Sequence, residues 1–170
     1  MIQLLTETRL HPDFPLSRSE LPQLMEEILE VFGLEQSFLT LRLVDDAEIA
    51  RLNKAFLGCF GPTNVLSFPA REFDDQDFKA EESASDGNAT ERGVFSADAV
   101  AEGAAEEDDG PYLGEIALSV DTLARETRLY GQTPREHLVR LLAHATLHLA
   151  GLDHGPEMEA MTEAALDALA

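Results

Sequence analysis

The stretch HATLHLAGLDH, residues 144–154, limits what this chain can become more than any other segment. His144 and His148 are four residues apart, so on a helix they lie on one face a turn apart and aim two ring nitrogens at a common point. Gly151 follows three residues later and supplies a helix-ending residue able to take φ > 0. The returning chain then brings His154 to the same point. The pattern H-x-x-x-H-x-x-G-x-x-H therefore offers three neutral nitrogen ligands and leaves a fourth position open, the donor count of a catalytic rather than a structural zinc site. Ordinary buried or surface histidines are the plainer account, but three of only five histidines fall at this spacing around a glycine. The other two, His11 and His137, have no ligand-like neighbours in sequence and read as surface residues.

The helix that carries the motif is marked by several rules at once. Thr133 stands at the N-cap, Pro134 in the first turn, and Glu136 three residues after the cap, the arrangement of a capping box. Leu138, Leu141, Leu142, Ala145 and Leu149 give it a largely apolar body. Metzincin proteases share the ligand spacing but place a glutamate after the first histidine as general base. That position is Ala145 here, so proteolysis lacks the group that would take a proton from a metal-activated water. Three imidazoles suit zinc best, while nickel, copper and iron accept the same donors.

Elsewhere the chain alternates between strand and helix patterns. MIQLLTETRL reads as a strand. Ser17 or Ser19 caps a helix whose apolar positions Leu21, Leu24, Met25, Ile28, Leu29 and Phe32 recur at helical spacing, with Gly33 as its stop. SFLTLRLVDD places Leu39, Leu41 and Leu43 on one face of a half-buried strand, against Phe38, Thr40 and Arg42. Asp45 or Asp46 caps the helix AEIARLNKAFLG, and the turn GPTN leads into the short strand VLSFPA, which Pro69 ends or places at an edge. YLGEIALSV is a further strand, Asp121 the cap of a helix through DTLARETRLYG, and EMEAMTEAALDALA a last amphipathic helix.

A chain of 170 residues fits one domain with a core large enough to fold without disulfides or structural metal, so a bound metal reads as functional. The single cysteine, Cys59, cannot form an internal bridge, and the N-terminal stretch lacks a basic region followed by a long apolar one. The expected location is the cytoplasm. No apolar run approaches the roughly 18–20 residues that span a bilayer, so no membrane association is expected. The formal net charge of −21 opposes a nucleic-acid partner, because phosphate binding relies on lysine and arginine. Much of that charge is local: residues 71–110 hold 14 acidic against three basic residues, a net of −11, leaving −10 for the rest. This segment, rich in Ala, Glu, Asp, Ser and Gly without a period, reads as a solvated, disordered acidic insertion.

HATLHLAGLDH, together with LNKAFLGCFGPTNVLSFP upstream and LGEIALSVDTLARE between them, closely resembles the YbeY endoribonucleases, the bacterial ribosomal-RNA maturation factors. These carry H-G-x-L-H-L-x-G-Y-D-H and L-N-x-x-Y-R-G-x-D-x-P-T-D/N-V-L-S-F-P. The likeness runs from about Leu39 onward, two motifs in the right order, with the acidic insertion where the family has a shorter loop. The chain departs from the pattern at Leu57, where the family has an arginine implicated in activity and RNA contact, and at Ala145, Leu152 and Glu115, which replace glycine, tyrosine and aspartate. No catalytic arginine is carried over.

The resemblance implies a single α+β domain over residues 1–170. Its small, mostly antiparallel four-stranded sheet would be packed with about five or six helices around a zincin-like metal site. It implies one Zn(2+) per chain on His144, His148 and His154, and hydrolysis of a phosphodiester in single-stranded RNA. The biological role implied is maturation of the 3′ end of small-subunit ribosomal RNA and ribosome quality control. Expected partners are ribosomal RNA and the small ribosomal subunit, with a ribosomal protein or ribosome-associated GTPase as a further one. Asp153 reads equally as a group orienting a histidine or as a turn cap. Arg51, Lys54, Arg125, Arg128 and Arg140 either contact phosphate or form solvated helix faces. Asn64 and Ser67 lie in the segment that lines the family's cleft; Ser67 has no assigned base and is not read as a nucleophile. Two other readings remain open: a metal hydrolase of another substrate, which Leu57 suits, and a zinc-containing ribosome-assembly adaptor without nuclease activity, whose acidity suits basic ribosomal proteins.

Overall fold

In the computed structural model, which describes residues 1–70 and 110–170, the leucines of one strand decide where the core lies. Leu39, Leu41 and Leu43 alternate along β2 (Phe38–Val44) and are fully buried on one face of the sheet. They join Leu21, Met25 and Ile28 of α1 (Glu20–Val31) and Leu138 and Leu142 of α4 (Pro134–Leu149) in the main core. The opposite face of the sheet is covered by α2 (Asp46–Leu57), whose Ile49 and Leu52 meet Val44, Leu66 and Ala117. Each such side chain, fully removed from water, contributes roughly 1.5–3 kcal/mol before chain entropy is counted.

The remaining elements are β1 (Ile2–Thr6), β3 (Val65–Pro69), β4 (Tyr112–Ser119), α3 (Val120–Tyr130) and α5 (Pro156–Leu169). The described residues thus hold four strands and five helices, an α+β arrangement. Strand order is β1-β2-β4-β3. β1 and β2 run parallel, as do β2 and β4, and only β3 pairs antiparallel with β4. The expected mostly antiparallel sheet is therefore corrected to a mixed one. Alternation within a strand reports which face is buried and nothing about the direction of its neighbour. Direction is set by connections: the chain leaves β1 through α1 and re-enters parallel at β2, as helical crossovers require. The acidic stretch from residue 71 to 109 lies outside the described residues.

Local rules account for most helix ends. Asp45 caps α2 by accepting from the Glu48 amide at 2.9 Å. At α1, Ser19 occupies the cap position without a side-chain bond to the helix backbone, and Glu20 instead accepts from the Ser17 amide and hydroxyl at 2.8 and 2.6 Å. For α3 the cap is Ser119, whose hydroxyl accepts from the Thr122 amide at 3.1 Å, because the helix already begins at Val120 and β4 ends one residue earlier than the sequence suggested. Asp121, the expected cap, accepts from the Asp46 amide at 3.1 Å instead.

Asp46 returns that contact and ties α2 to α3. Its carboxylate accepts from Ser119 Oγ at 2.9 Å and Thr122 Oγ1 at 2.8 Å, and also pairs with Arg125. Partial burial pushes its pKa up, but the donors from Arg125, Thr122 and Ser119 outweigh this and hold it below the usual aspartate range. A depressed folded-state pKa contributes stability above the unfolded value that is lost as pH falls through the folded one, so this tie loosens as pH falls below the usual aspartate range. Asp46→Ala is expected to cost about 1–3 kcal/mol in urea denaturation, because Ser119 and Thr122 lose their acceptor in a partly buried setting.

Candidate metal centre and cleft

The three histidines converge because a buried helix ends where it does. Thr133 Oγ1 accepts from the Glu136 amide at 3.2 Å and Glu136 accepts from the Thr133 amide at 2.9 Å, closing the capping box that fixes the start of α4. The helix is buried over most of its surface, so its register against the sheet is set by packing. Gly151, at φ 88°, reverses the chain after Ala150, and Pro156 begins α5 five residues later. His154 sits on the turn between.

The outcome is a tight cluster. The ligand-capable atoms of His144, His148 and His154 all lie within 4.8 Å of one another. His144 Nε2 and His148 Nε2 are 3.2 Å apart. His148 Nδ1 lies 3.0 Å from the Leu152 carbonyl oxygen, to which it donates, which turns Nε2 toward the cluster as the ligand-capable nitrogen of the neutral ring. A backbone carbonyl thus does the orienting, while exposed Asp153 stands on the cleft wall. Burial, reinforced by His148 and His154 nearby, lowers the pKa of His144 and favours the neutral ring that a ligand needs.

The cluster opens on a cleft of about 560 Å³ whose other walls are Asn53 and Leu57 at the end of α2 and Thr63, Asn64 and Ser67 at and before β3. Leu57 is 62% exposed there. A smaller pocket of about 200 Å³ is also lined by His144 and His154, together with Arg140 and Glu163. The basic residues expected near phosphate lie largely elsewhere. Arg51, Lys54, Arg125 and Arg128 do not line the cleft, and each arginine already has an acidic partner. Arg51 pairs with Glu48 at 2.6 Å, Arg125 with Asp46, Arg128 with Asp13, and Arg140 with Glu163 at 2.9 Å. Glu115 is on the sheet face toward α2 rather than in the cleft; burial raises its pKa, and Arg42 at 3.1 Å opposes that.

His137 is where the sequence reading fails outright. It is not a surface residue: only 5% of it is exposed. Its Nε2 lies 2.6 Å from a Glu126 carboxylate oxygen and its Nδ1 3.0 Å from Gln132 Oε1. Glu126 also accepts from Asn64 Nδ2 at 3.2 Å, so the pair anchors a residue of the cleft wall. The available signal was spacing, since His137 precedes His144 by seven residues and shares its helix face. Glu126→Ala is expected to lower stability by about 1–3 kcal/mol in thermal melts, because Nε2 of the buried His137 then loses its partner.

Fold and site together define an α+β domain whose central helix and following turn present three histidines to an open cleft. A sequence profile of the Endoribonuclease YbeY family matches residues 10–169. The chain is 42% identical over 163 residues to the Endoribonuclease YbeY of Oleidesulfovibrio alaskensis, covering 96% of this chain and 89% of that one. It is 44% identical over 155 residues to the protein of the same name from Nitratidesulfovibrio vulgaris, covering 87% and 86%. A solution structure of a Thermotoga maritima protein superposes with a TM-score of 0.56 at 23% identity, over 98% of this chain and 87% of that one, and supports the fold. The chain belongs to the YbeY endoribonuclease family. No helix among the described residues is long and apolar enough to cross a membrane.

Proposed function

We propose that this chain is a metal-dependent endoribonuclease that cuts single-stranded RNA, using one zinc ion held by His144, His148 and His154. The observation that carries this reading is the convergence of three imidazoles on the wall of an open cleft, in a chain whose relatives bear the name endoribonuclease. The donor set fits the ion. Two nitrogens each about 2.0–2.1 Å from a tetrahedral zinc lie about 3.3–3.4 Å apart, and the observed Nε2 separation is 3.2 Å. When bound, zinc supplies Lewis acidity toward a phosphodiester oxygen and lowers the pKa of water. The protein favours the neutral ring of His144, orients His148 through the Leu152 carbonyl, and leaves Ala145 where proteases of this spacing hold their base. Asp153 is available on the cleft wall to contact an incoming group.

The biological reading is cytoplasmic maturation of the small-subunit ribosomal RNA 3′ end and quality control of ribosomes. The small subunit, and a ribosomal protein or ribosome-associated GTPase, are the partners. The test is cleavage of a precursor RNA with an unpaired 3′ extension. Cutting should be lost on chelation, restored by zinc, and absent when the extension is annealed into a duplex. The ion-paired arginines and Leu57 favour a second reading, a zinc-containing adaptor. That reading requires ribosome association that survives His148→Ala and no cleavage by the zinc-loaded wild type.

A further inference from the structure

Between the two cleft-lining segments, α2 and residues 63–67, the chain makes a turn that leaves unusual apolar surface in water. Phe60 is 85% exposed, three and four positions after Leu57 at 62% and Phe56 at 50%. Singly scattered apolar residues are normal on a surface, and Phe56 packs its ring on Phe68 at 4.8 Å, but Phe60 stands between Leu57 and Thr63, both of which line the cleft. The turn is also anchored. Gly58, at φ 66°, ends α2, and the largely buried Asn53 donates from Nδ2 to the Gly61 carbonyl at 3.1 Å. Phe60 is therefore presented on a fixed support, which lowers the ordering cost of binding. Lys54 places its ammonium 5.5 Å from the centroid of the Phe60 ring, within cation–π range.

We propose that Phe60, with Lys54 beside it, is a stacking site for an unpaired nucleobase of RNA entering the cleft. This rests on the nuclease reading above and names how its substrate is held. Stacking fits the electrostatics of this chain better than phosphate neutralisation does. The net charge is −21, and Arg51, Arg125, Arg128 and Arg140 are each engaged by a carboxylate. A base has an apolar π-face whatever its sequence, and contact with that face does not depend on cationic surface. Bases inside a duplex already stack on their neighbours, so an exposed ring on the turn between cleft-lining residues selects single strands.

The chain contains no tryptophan, so Phe60→Trp installs a single reporter at the site. With zinc-loaded protein, rapid mixing before cleavage should show quenching by an unstructured oligoribonucleotide. Little quenching is expected from the same backbone without bases or from a hairpin duplex. Phe60→Ala should weaken binding of the oligomer about five- to 150-fold with an unchanged melting temperature, the range for one base–aromatic stack. The salt dependence should be shallow, with a slope of log K against log salt of about −0.7, as one phosphate contact from Lys54 to a single strand predicts. Unchanged affinity in Phe60→Ala, equal binding of the base-free backbone, or a slope of about −3 or steeper overturns the proposal. So does a shift from dimer to monomer in Phe60→Ala without loss of RNA affinity, which would make the patch a self-association surface. Base-dependent quenching without metal-dependent cleavage would sink the nuclease reading and leave the stacking site standing. Cleavage with Phe60→Ala binding normally would do the reverse.

Discussion

Purified His148→Ala protein is expected to contain almost no metal, where the wild type carries about one equivalent of zinc after dialysis against a weak chelator. The change removes the nitrogen that sits 3.2 Å from His144 Nε2 and leaves two donors, one of them on an exposed turn. Loss of groups that merely orient a metal ligand costs about 10–100-fold in affinity or activity, so loss of a ligand should reduce RNA cleavage by more than about 100-fold. His154→Ala should behave in the same way. Neither change should unfold the chain, because the main core lies on α1, β2, β4 and α4 and is complete without an ion. Elemental analysis by mass spectrometry together with circular dichroism separates these effects. Wild-type protein that holds no metal and gains no activity on adding zinc, nickel, iron or copper would overturn the proposed centre. Zinc retained by His148→Ala would remove that residue from the ligand set.

Gly114→Ala is expected to cost about 3 kcal/mol or more and to loosen the cleft at a distance from any ligand. Gly114 lies in β4 at φ 127°, a conformation that residues with a side chain avoid. A β-carbon built there would stand 2.1 Å from the Phe68 carbonyl oxygen and 2.8 Å from the Ala70 nitrogen, both backbone atoms that cannot rotate aside. The position is also where β4 gains a residue against β2: Phe38 pairs with Tyr112, but Thr40 pairs with Glu115. Glycine at such a bulge lets the strand bend while β3 stays paired through Pro69. Since β3 supplies Ser67 to the cleft wall, the substitution should lower the melting temperature and weaken RNA binding together. Full stability and full binding in Gly114→Ala would show that the bulge relaxes at little cost.

Much of the candidate site was legible because its determinants are local. The capping box at Thr133, the four-residue step from His144 to His148 and the left-handed Gly151 each act within a few residues, and each appears where the spacing places it. The same holds for Asp45 and for the buried face of β2. What the sequence left open or misplaced has a different cause. Arg125 and Asp46 are 79 positions apart and Arg128 and Asp13 115, so no local pattern announces that these arginines are already partnered. His137 resembles a surface residue until Glu126 and Gln132 are packed against it.

By itself, the sequence determined the capped metal-motif helix, the glycine turn that returns His154, and the alternation that marks the core face, together with membership of a family through two ordered motifs. These depend on dihedral preferences and on hydrogen bonds spanning three or four residues, which any neighbouring fold would leave intact. Only the tertiary structure decided that the sheet is mixed, that the arginines face carboxylates rather than the cleft, and that His137 is buried as an anchor for Asn64. Those outcomes depend on which distant surfaces share the cost of desolvation, and that is settled when helices pack on the sheet rather than along the chain.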